Sequence, residues 1–259
     1  MPRRSMSTAA ITAAMTLLVA ACGTTPGLTD PREIISQGTE ATADVSSFHL
    51  ELSVDGSVSA PDLGGGQMSL NGTSVEGDFD LEGPAAQLTV AVPAFLGLTA
   101  DMIVVGDDMY LKSSLTGPLW QHMEATDGDS IGEAADPAAA LEGLNEFLDN
   151  EDVEVEKLDD VDCGDGSCYH VRLTIPASEL ASAGEDLGDV VPGDVFGDGL
   201  VLDLLFDKRH SYLVEVSTEL AAESVGTVTL ILTLSDFGQD VTVEPPPSDE
   251  VTEDGDFPF

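Results

Sequence analysis

The sequence predicts an α+β domain built on one large antiparallel sheet with few helices. Three observations lead there. Runs of apolar–polar alternation, the period of half-buried strands, recur along most of the 259-residue chain. A helical period interrupts them clearly in two places, each opened by Asp-Pro. Gly- and Asp-rich turns punctuate the alternating runs. Runs of strands with segregated helices belong to this class rather than to a parallel sheet.

The elements follow in order. Arg3 and Arg4 precede the uncharged stretch Ala9–Ala21. That stretch is too short for a membrane span of ~20 residues, but it has the form of a signal-peptide core. Residues 1–21 are therefore read as a signal peptide. An ordinary signal peptide cleaved after Ala21 would leave Cys22 incidental. Val19-Ala20-Ala21-Cys22 instead resembles the bacterial lipobox, whose cysteine thiol receives a diacylglyceryl group and becomes the new N-terminus. Cys22 is the expected lipid attachment site, and acyl chains such as palmitate the only non-protein group expected. Two or three such chains anchor a protein durably, where one binds marginally. Residues 22–29 are small and polar and read as the tether.

A single domain is expected over residues 30–245. Asp30 can cap a helix whose first position is Pro31, with Glu33 placed for a capping box. Ile34, Ile35, Gly38, Ala41 and Val45 share one face of it. At Phe48 the period becomes two: Phe48, Leu50, Leu52 and Val54 against His49, Glu51, Ser53 and Asp55. Further strands are expected around Met68 and Leu70, around Val75 to Leu81, and through Leu88, Val90 and Val92. "MIVVGDDMYLK" reads as a hairpin turning at Gly106-Asp107-Asp108. A second helix is expected in "DPAAALEGLNEFLDN", its stripe formed by Leu141, Leu144, Phe147 and Leu148. Strands follow at 153–157, 168–175, 200–206, 211–220 and 226–235, with a short helix at 177–183. The acidic, Pro-rich end, residues 246–259, reads as disordered.

Charge excludes whole classes of partner. The chain carries 49 acidic and 8 basic residues, for a formal net charge of −41, or −43 once Arg3 and Arg4 leave with the leader. Nucleic acid needs clustered Lys and Arg, and an anionic lipid surface would repel such a body. Attachment to a cell membrane would therefore come from the covalent lipid, and the acidity itself reads chiefly as solubility.

Catalytic patterns are lacking. "GTSVEG" at 72–77 has glutamate where a nucleophile elbow needs glycine, and neither H-E-x-x-H nor a phosphate-binding loop occurs. No catalytic residue, enzyme activity or metal is expected. Cys163 and Cys168 bracket Gly-Asp-Gly-Ser, and in an exported chain that spacing favours a disulfide. A metal site with His170 is the alternative, but zinc normally takes at least three protein ligands.

The apolar face poses a question of area. About ten strands offer one, and two or three helices, each covering about two strands, would shield four to six. Either the sheet curls on itself or part of its greasy side encloses something else.

In the order of its pieces the sequence resembles the LppX/LprA/LprF/LprG lipoproteins of actinobacteria, over roughly residues 18 to 246. The resemblance rests on the lipobox, the helix leading into "SSFHLELSVDGSV", "VVGDDMYLK" with Trp120 after it, and the "DP…L…L" helix. It continues in "CGDGSCYHVRLTIP" and "LTLSDFGQDVTVEPP". The resemblance implies a LolA/LppX-like fold: a strongly curved antiparallel half-barrel with a few helices over its concave face, enclosing an apolar cavity. It implies a lipid or glycolipid ligand carried within the cell envelope, a protein anchored as a monomer at the outer face of the membrane, and a lipid exporter as a candidate partner. Strand parity nominates Phe48, Leu50, Leu52, Leu88, Val90, Val92, Leu144 and Phe147 for the cavity. The alternative is a tethered structural or adaptor module with a solid core. The extreme acidity departs from the mycobacterial members.

Overall fold

A computed structural model describes residues 27–60, 66–124, 148, 150–164, 166–180, 199–222 and 226–252. The lipobox, Cys22, and Leu144 and Phe147 of the second expected helix lie outside these residues; of the short helix expected at 177–183, residues 177–180 are helical and 181–183 lie outside them.

The first element is helix α1 (Pro31–Ala43). Asp30 caps it, its Oδ1 accepting from the amides of Arg32 and Glu33, which satisfies donors that the first turn leaves free. Glu33 does not complete a capping box; its carboxylate accepts from Gln37 instead. The buried face of α1 is Ile34, Ile35, Gly38, Thr39 and Thr42. The expectation of Ala41 and Val45 is thus corrected: the stripe turns through the two threonines, and Val45 lies beyond the helix. Thr42 can be buried because its hydroxyl is fully used. It donates to Gly38 O and accepts from Leu213 N.

Strands follow: β1 (Ser47–Ala60), β2 (Gly66–Ser69), β3 (Thr73–Asp80), β4 (Ala85–Val92), β5 (Leu98–Val105), β6 (Asp108–Ser113) and β7 (Trp120–Glu124). After residues 125–147 come β8 (Glu154–Lys157), β9 (Val161–Cys163), β10 (Gly166–Ile175), β11 (Leu200–Asp207), β12 (Leu213–Ala222), β13 (Gly226–Ser235) and β14 (Val251–Thr252). They form one open, curved sheet in the order β14-β7-β6-β5-β4-β3-β1-β13-β12-β11-β10-β8, with β2 beside β1 and β9 beside β10. Every pairing is antiparallel except β14 on β7. The two halves meet at the centre, where β1 pairs β13 from His49↔Ser235 to Val58↔Gly226. Gly56 and Gly226 take φ of +124° and +113° there, and a Cβ on either would lie 2.2 Å from the facing strand's carbonyl oxygen. Only glycine lets the ladder continue through that conformation.

The sequence misses β7, β9 and β14. Strand β7 turns Gln121 and Met123 to the apolar side and Trp120 and His122 to the other, so its pattern does not advertise its faces. The hairpin turn is Gly106-Asp107, with Asp108 already in β6.

Residues 246–252, expected to be disordered, follow a defined path. From the end of β13 the chain crosses to the far edge of the sheet, where Glu250 O accepts from Trp120 N and Val251-Thr252 pair with Trp120-Gln121. Alternation explains this: Val241, Val243 and Pro246 are half-buried while their neighbours are exposed. Three prolines also lower the entropy cost of an extended path.

Gly38 is where α1 approaches the sheet most closely. A Cβ there would meet the buried Phe206 ring at 2.1 Å and Ser211 O at 3.1 Å. Alanine would improve helix propensity by ~1 kcal/mol, but overpacking a rigid core costs ~1–3 kcal/mol. At so short a separation the clash should win. Gly38→Ala is expected to lower the free energy of unfolding by ~1–2 kcal/mol, read from the urea midpoint at unchanged slope.

Candidate functional site

Register decides which side chains share a face. Val171, Leu204, Val216, Leu232, Leu52, Val75, Val90 and Ala100 form one row across β10, β11, β12, β13, β1, β3, β4 and β5. Leu234, Leu50, Gly77, Leu88, Met102 and Leu111 form the next, from β13 to β6. No acidic side chain falls in either row. The carboxylates of these strands take the other parity, where even like charges face each other, as Glu51 and Glu76 do.

Burial along the first row is uneven. Helix α1 packs on β8, β10, β11 and β12, joining Ile34 and Ile35 to Tyr169, Val171, Leu204, Phe206 and Leu213. Under it Val171 is 0% and Leu204 1% exposed. Val216 packs against that cluster, and beyond it Leu232, Leu52, Val75 and Val90 in the same row are only half-buried. A second cluster closes the end of the face that carries Phe48. There Phe48 stacks on Phe79 at 4.7 Å between ring centroids, packed with Val45, Ala86, Leu88 and Leu234. Two polar atoms on the apolar side, Thr73 Oγ1 and Gln121 Oε1, are buried without a hydrogen-bond partner among the described residues.

The opposite face carries paired charge. All four histidines contact an aspartate: His49–Asp78 at 2.8 Å, His122–Asp108 at 2.7 Å, His170–Asp203 at 3.0 Å and His210–Asp207 at 3.0 Å. A groove of about 210 Å³ lies on this side, between His49, Asp78 and Gln87 and the crossing segment Asp236 to Val243. Its charged and amide lining suits water rather than an apolar ligand. Among the described residues no three His, Cys, Asp or Glu side chains converge as metal ligands would. Cys163 and Cys168 are joined in a disulfide with Cα atoms 5.8 Å apart, closing the β9–β10 hairpin.

No protein-family model and no curated protein matches the sequence. Among solved structures the chain is similar to the lipoprotein LppX of Mycobacterium tuberculosis, at 19% identity and a TM-score of 0.54, over 83% of this chain and 100% of that one. It is also similar to LprF of Mycobacterium bovis, at 16% identity and a TM-score of 0.53, over 85% of this chain and 98% of the other. The chain has the LppX/LprF fold.

Within this LppX/LprF fold the residues nominated from strand parity separate into groups. Phe48 and Leu88 are buried in the Phe48–Phe79 cluster, whereas Leu50, Leu52, Val90 and Val92 are half-buried on the same face. Leu144 and Phe147 lie outside the described residues. Sequence reasoning missed Met102, Leu111, Val216 and Leu232, which the register places among them. A period-two reading carried through every strand would have found these. It could not have found Gln121, because nothing in "WQHME" marks it as facing the apolar side.

Arg172 forks onto Asp203, with Nε and Nη2 each 2.9 Å from a carboxylate oxygen. This bidentate contact, helped by His170 and opposed by partial burial, holds the Asp203 carboxyl below the usual carboxylate range. A depressed folded value means that Asp203 contributes its full stabilisation above the ordinary pKa of 3.8 and loses it as pH falls through the lower folded value. Asp203→Asn is therefore expected to lower stability by ~1 kcal/mol at neutral pH. The gap from wild type should narrow as pH falls below 3.8, as read from urea unfolding at several pH values.

Proposed function

We propose that this protein is an envelope lipoprotein, attached through Cys22, that shelters the acyl chains of a lipid or glycolipid against the apolar face of its sheet and carries them within the cell envelope. The observation that carries this reading is the change in burial along a single row of side chains. Val171 and Leu204 are sealed by α1, while Leu52, Val75, Val90 and Leu232 continue the same row half-buried.

Area supports it. The sheet path of twelve strands at ~4.8 Å spacing is roughly 50 Å wide, while α1, the long helix among the described residues, is ~10 Å wide. Each methylene withdrawn from water contributes ~0.8 kcal/mol, so a sixteen-carbon chain in the open costs on the order of 13 kcal/mol. A face that replaces water lowers the barrier to moving such a chain between membranes. Thr73 Oγ1 and Gln121 Oε1, without partners among the described residues on that side, offer hydrogen bonds to the ester or hydroxyl groups where acyl chains join a headgroup. A covalent anchor keeps the protein at the outer face of the membrane and raises its local concentration there. A lipid exporter is the fitting donor. None of these steps forms or breaks a bond.

A solid-cored adaptor module would bury Leu52 and Leu232 as completely as Val171, and the half-burial of these residues speaks against it.

Native mass spectrometry of protein purified from the membrane that holds it tests the reading. Wild type is expected to retain acyl lipid at one per chain, or to take it up from lipid extract. Leu52→Asp or Leu232→Asp should cut occupancy at least tenfold, since a carboxylate against an acyl chain must be neutralised or left unpaired. Both sites are half-exposed, so the fold should persist by circular dichroism. Protein that is empty and takes up nothing would overturn the proposal.

A further inference from the structure

Gln121 sits where the pattern of the sheet asks for an apolar residue. Cross-strand register runs from Leu50 through Gly77, Leu88, Met102 and Leu111 directly onto it. Leu50, Met102 and Leu111 in that row are half-buried, so the amide shares the face assigned above to acyl chains. Its Oε1 is buried and accepts no hydrogen bond from the described residues. A buried acceptor left unpaired is costly, and an apolar side chain of the same shape would avoid that cost. Such an atom calls for a donor.

The strand that carries it is held from both sides. Gln121 pairs with Leu111 of β6 and with Thr252 of β14. The return segment reaches this edge when Trp120 N donates to Glu250 O, and β14 then pairs Trp120 and Gln121. A backbone fixed from both edges lowers the ordering cost of presenting the acceptor to a ligand.

Chemistry narrows the donor. An amide oxygen accepts and cannot donate. Ester and ether oxygens also only accept, as do the oxygens of an ionised fatty acid. Each would meet Oε1 lone pair to lone pair. An ammonium could donate, but no acidic side chain lies in the row from Leu50 to Gln121 to neutralise it, and a charge buried without a partner is heavily penalised. What remains is a neutral O–H or N–H. Thr73 Oγ1 also lacks a partner among the described residues, but a hydroxyl donates as well as accepts and so makes no such choice. It lies four strands away along β3-β4-β5-β6-β7, ~19 Å at ordinary spacing, too far to serve the same group.

We propose that Gln121 determines the class of lipid taken by the apolar face. Its Oε1 accepts from a hydroxyl or amide N–H at the root of an acyl chain, so lipids bearing such a donor are preferred over fully esterified ones. This rests on the reading of the face as an acyl site and adds which lipid that site selects.

Competition between two probes that differ by one donor tests it. The full chain, freed of bound lipid, is offered dipalmitoylglycerol and its acetate ester in equal amounts, and occupancy is read by native mass spectrometry. The free hydroxyl should be favoured at least about fivefold. Gln121→Met keeps an unbranched side chain of similar length without the acceptor. It should bring the ratio to about one while still taking up lipid, with circular dichroism unchanged. Equal uptake of the two probes by wild type would overturn the proposal and leave the acyl-site reading standing, and this arm needs no variant to fold. A preference for the acetate would overturn it as well, since the amide would then be offering Nε2 to an ester. So would a preference that persists undiminished in Gln121→Met. Uptake of neither probe would remove the acyl-site reading and the preference together.

Discussion

Forty-nine acidic residues in one chain constrain every strand of this sheet. A carboxylate buried without a partner must be neutralised at high cost. Alternation solves this by sending the acids of β1, β3, β11 and β12 to one side. The strict period of two then fixes register. A slip of one residue between β1 and β13 would carry Glu51 and Asp55 to the side now held by Leu50, Leu52 and Val54. Charge therefore acts here as a register lock as well as a solubilising surface.

The apolar side inherits the opposite condition. Nothing polar interrupts its central rows, and α1 seals them only where β8 and β10 to β12 lie beneath it. The sealed part resembles any packed core. Outside the Phe48–Phe79 cluster, the rest keeps the composition of a core without its burial, and that mismatch is the physical content of the functional reading. The LppX and LprF structures share the fold, which supplies a framework for such a face but not its occupant.

Much of this was legible because strands announce themselves by parity. The helix start at Asp30-Pro31, strands β1, β3 to β6 and β10 to β13, and the Cys163–Cys168 pairing all rest on local rules that tertiary context did not override. What sequence could not supply was global. Thr42 looks like a polar residue misplaced on a helix face until Leu213 N reaches its hydroxyl from far along the chain. The final segment looks like a solvated tail until Trp120 N takes Glu250 O. Val216 and Leu232 become part of the candidate face only when cross-strand register is known, because each strand alone reports its own two sides and not which neighbour continues them.

The pairing of β1 with β13 has a bearing on how the molecule is made. His49 finds Ser235, so the middle of the sheet is stitched from strands far apart along the polypeptide. A chain emerging N-terminus first, from a ribosome or through a membrane channel, presents β1 long before its partner exists. Hairpins β3–β4, β4–β5 and β5–β6 can assemble on the way, but the seam cannot close until β13 has arrived. Such non-local closure is slow to form, and meanwhile β1 offers an unpaired edge to whatever else is near. Protection of nascent β1 is thus a requirement of this topology, whatever the finished molecule does.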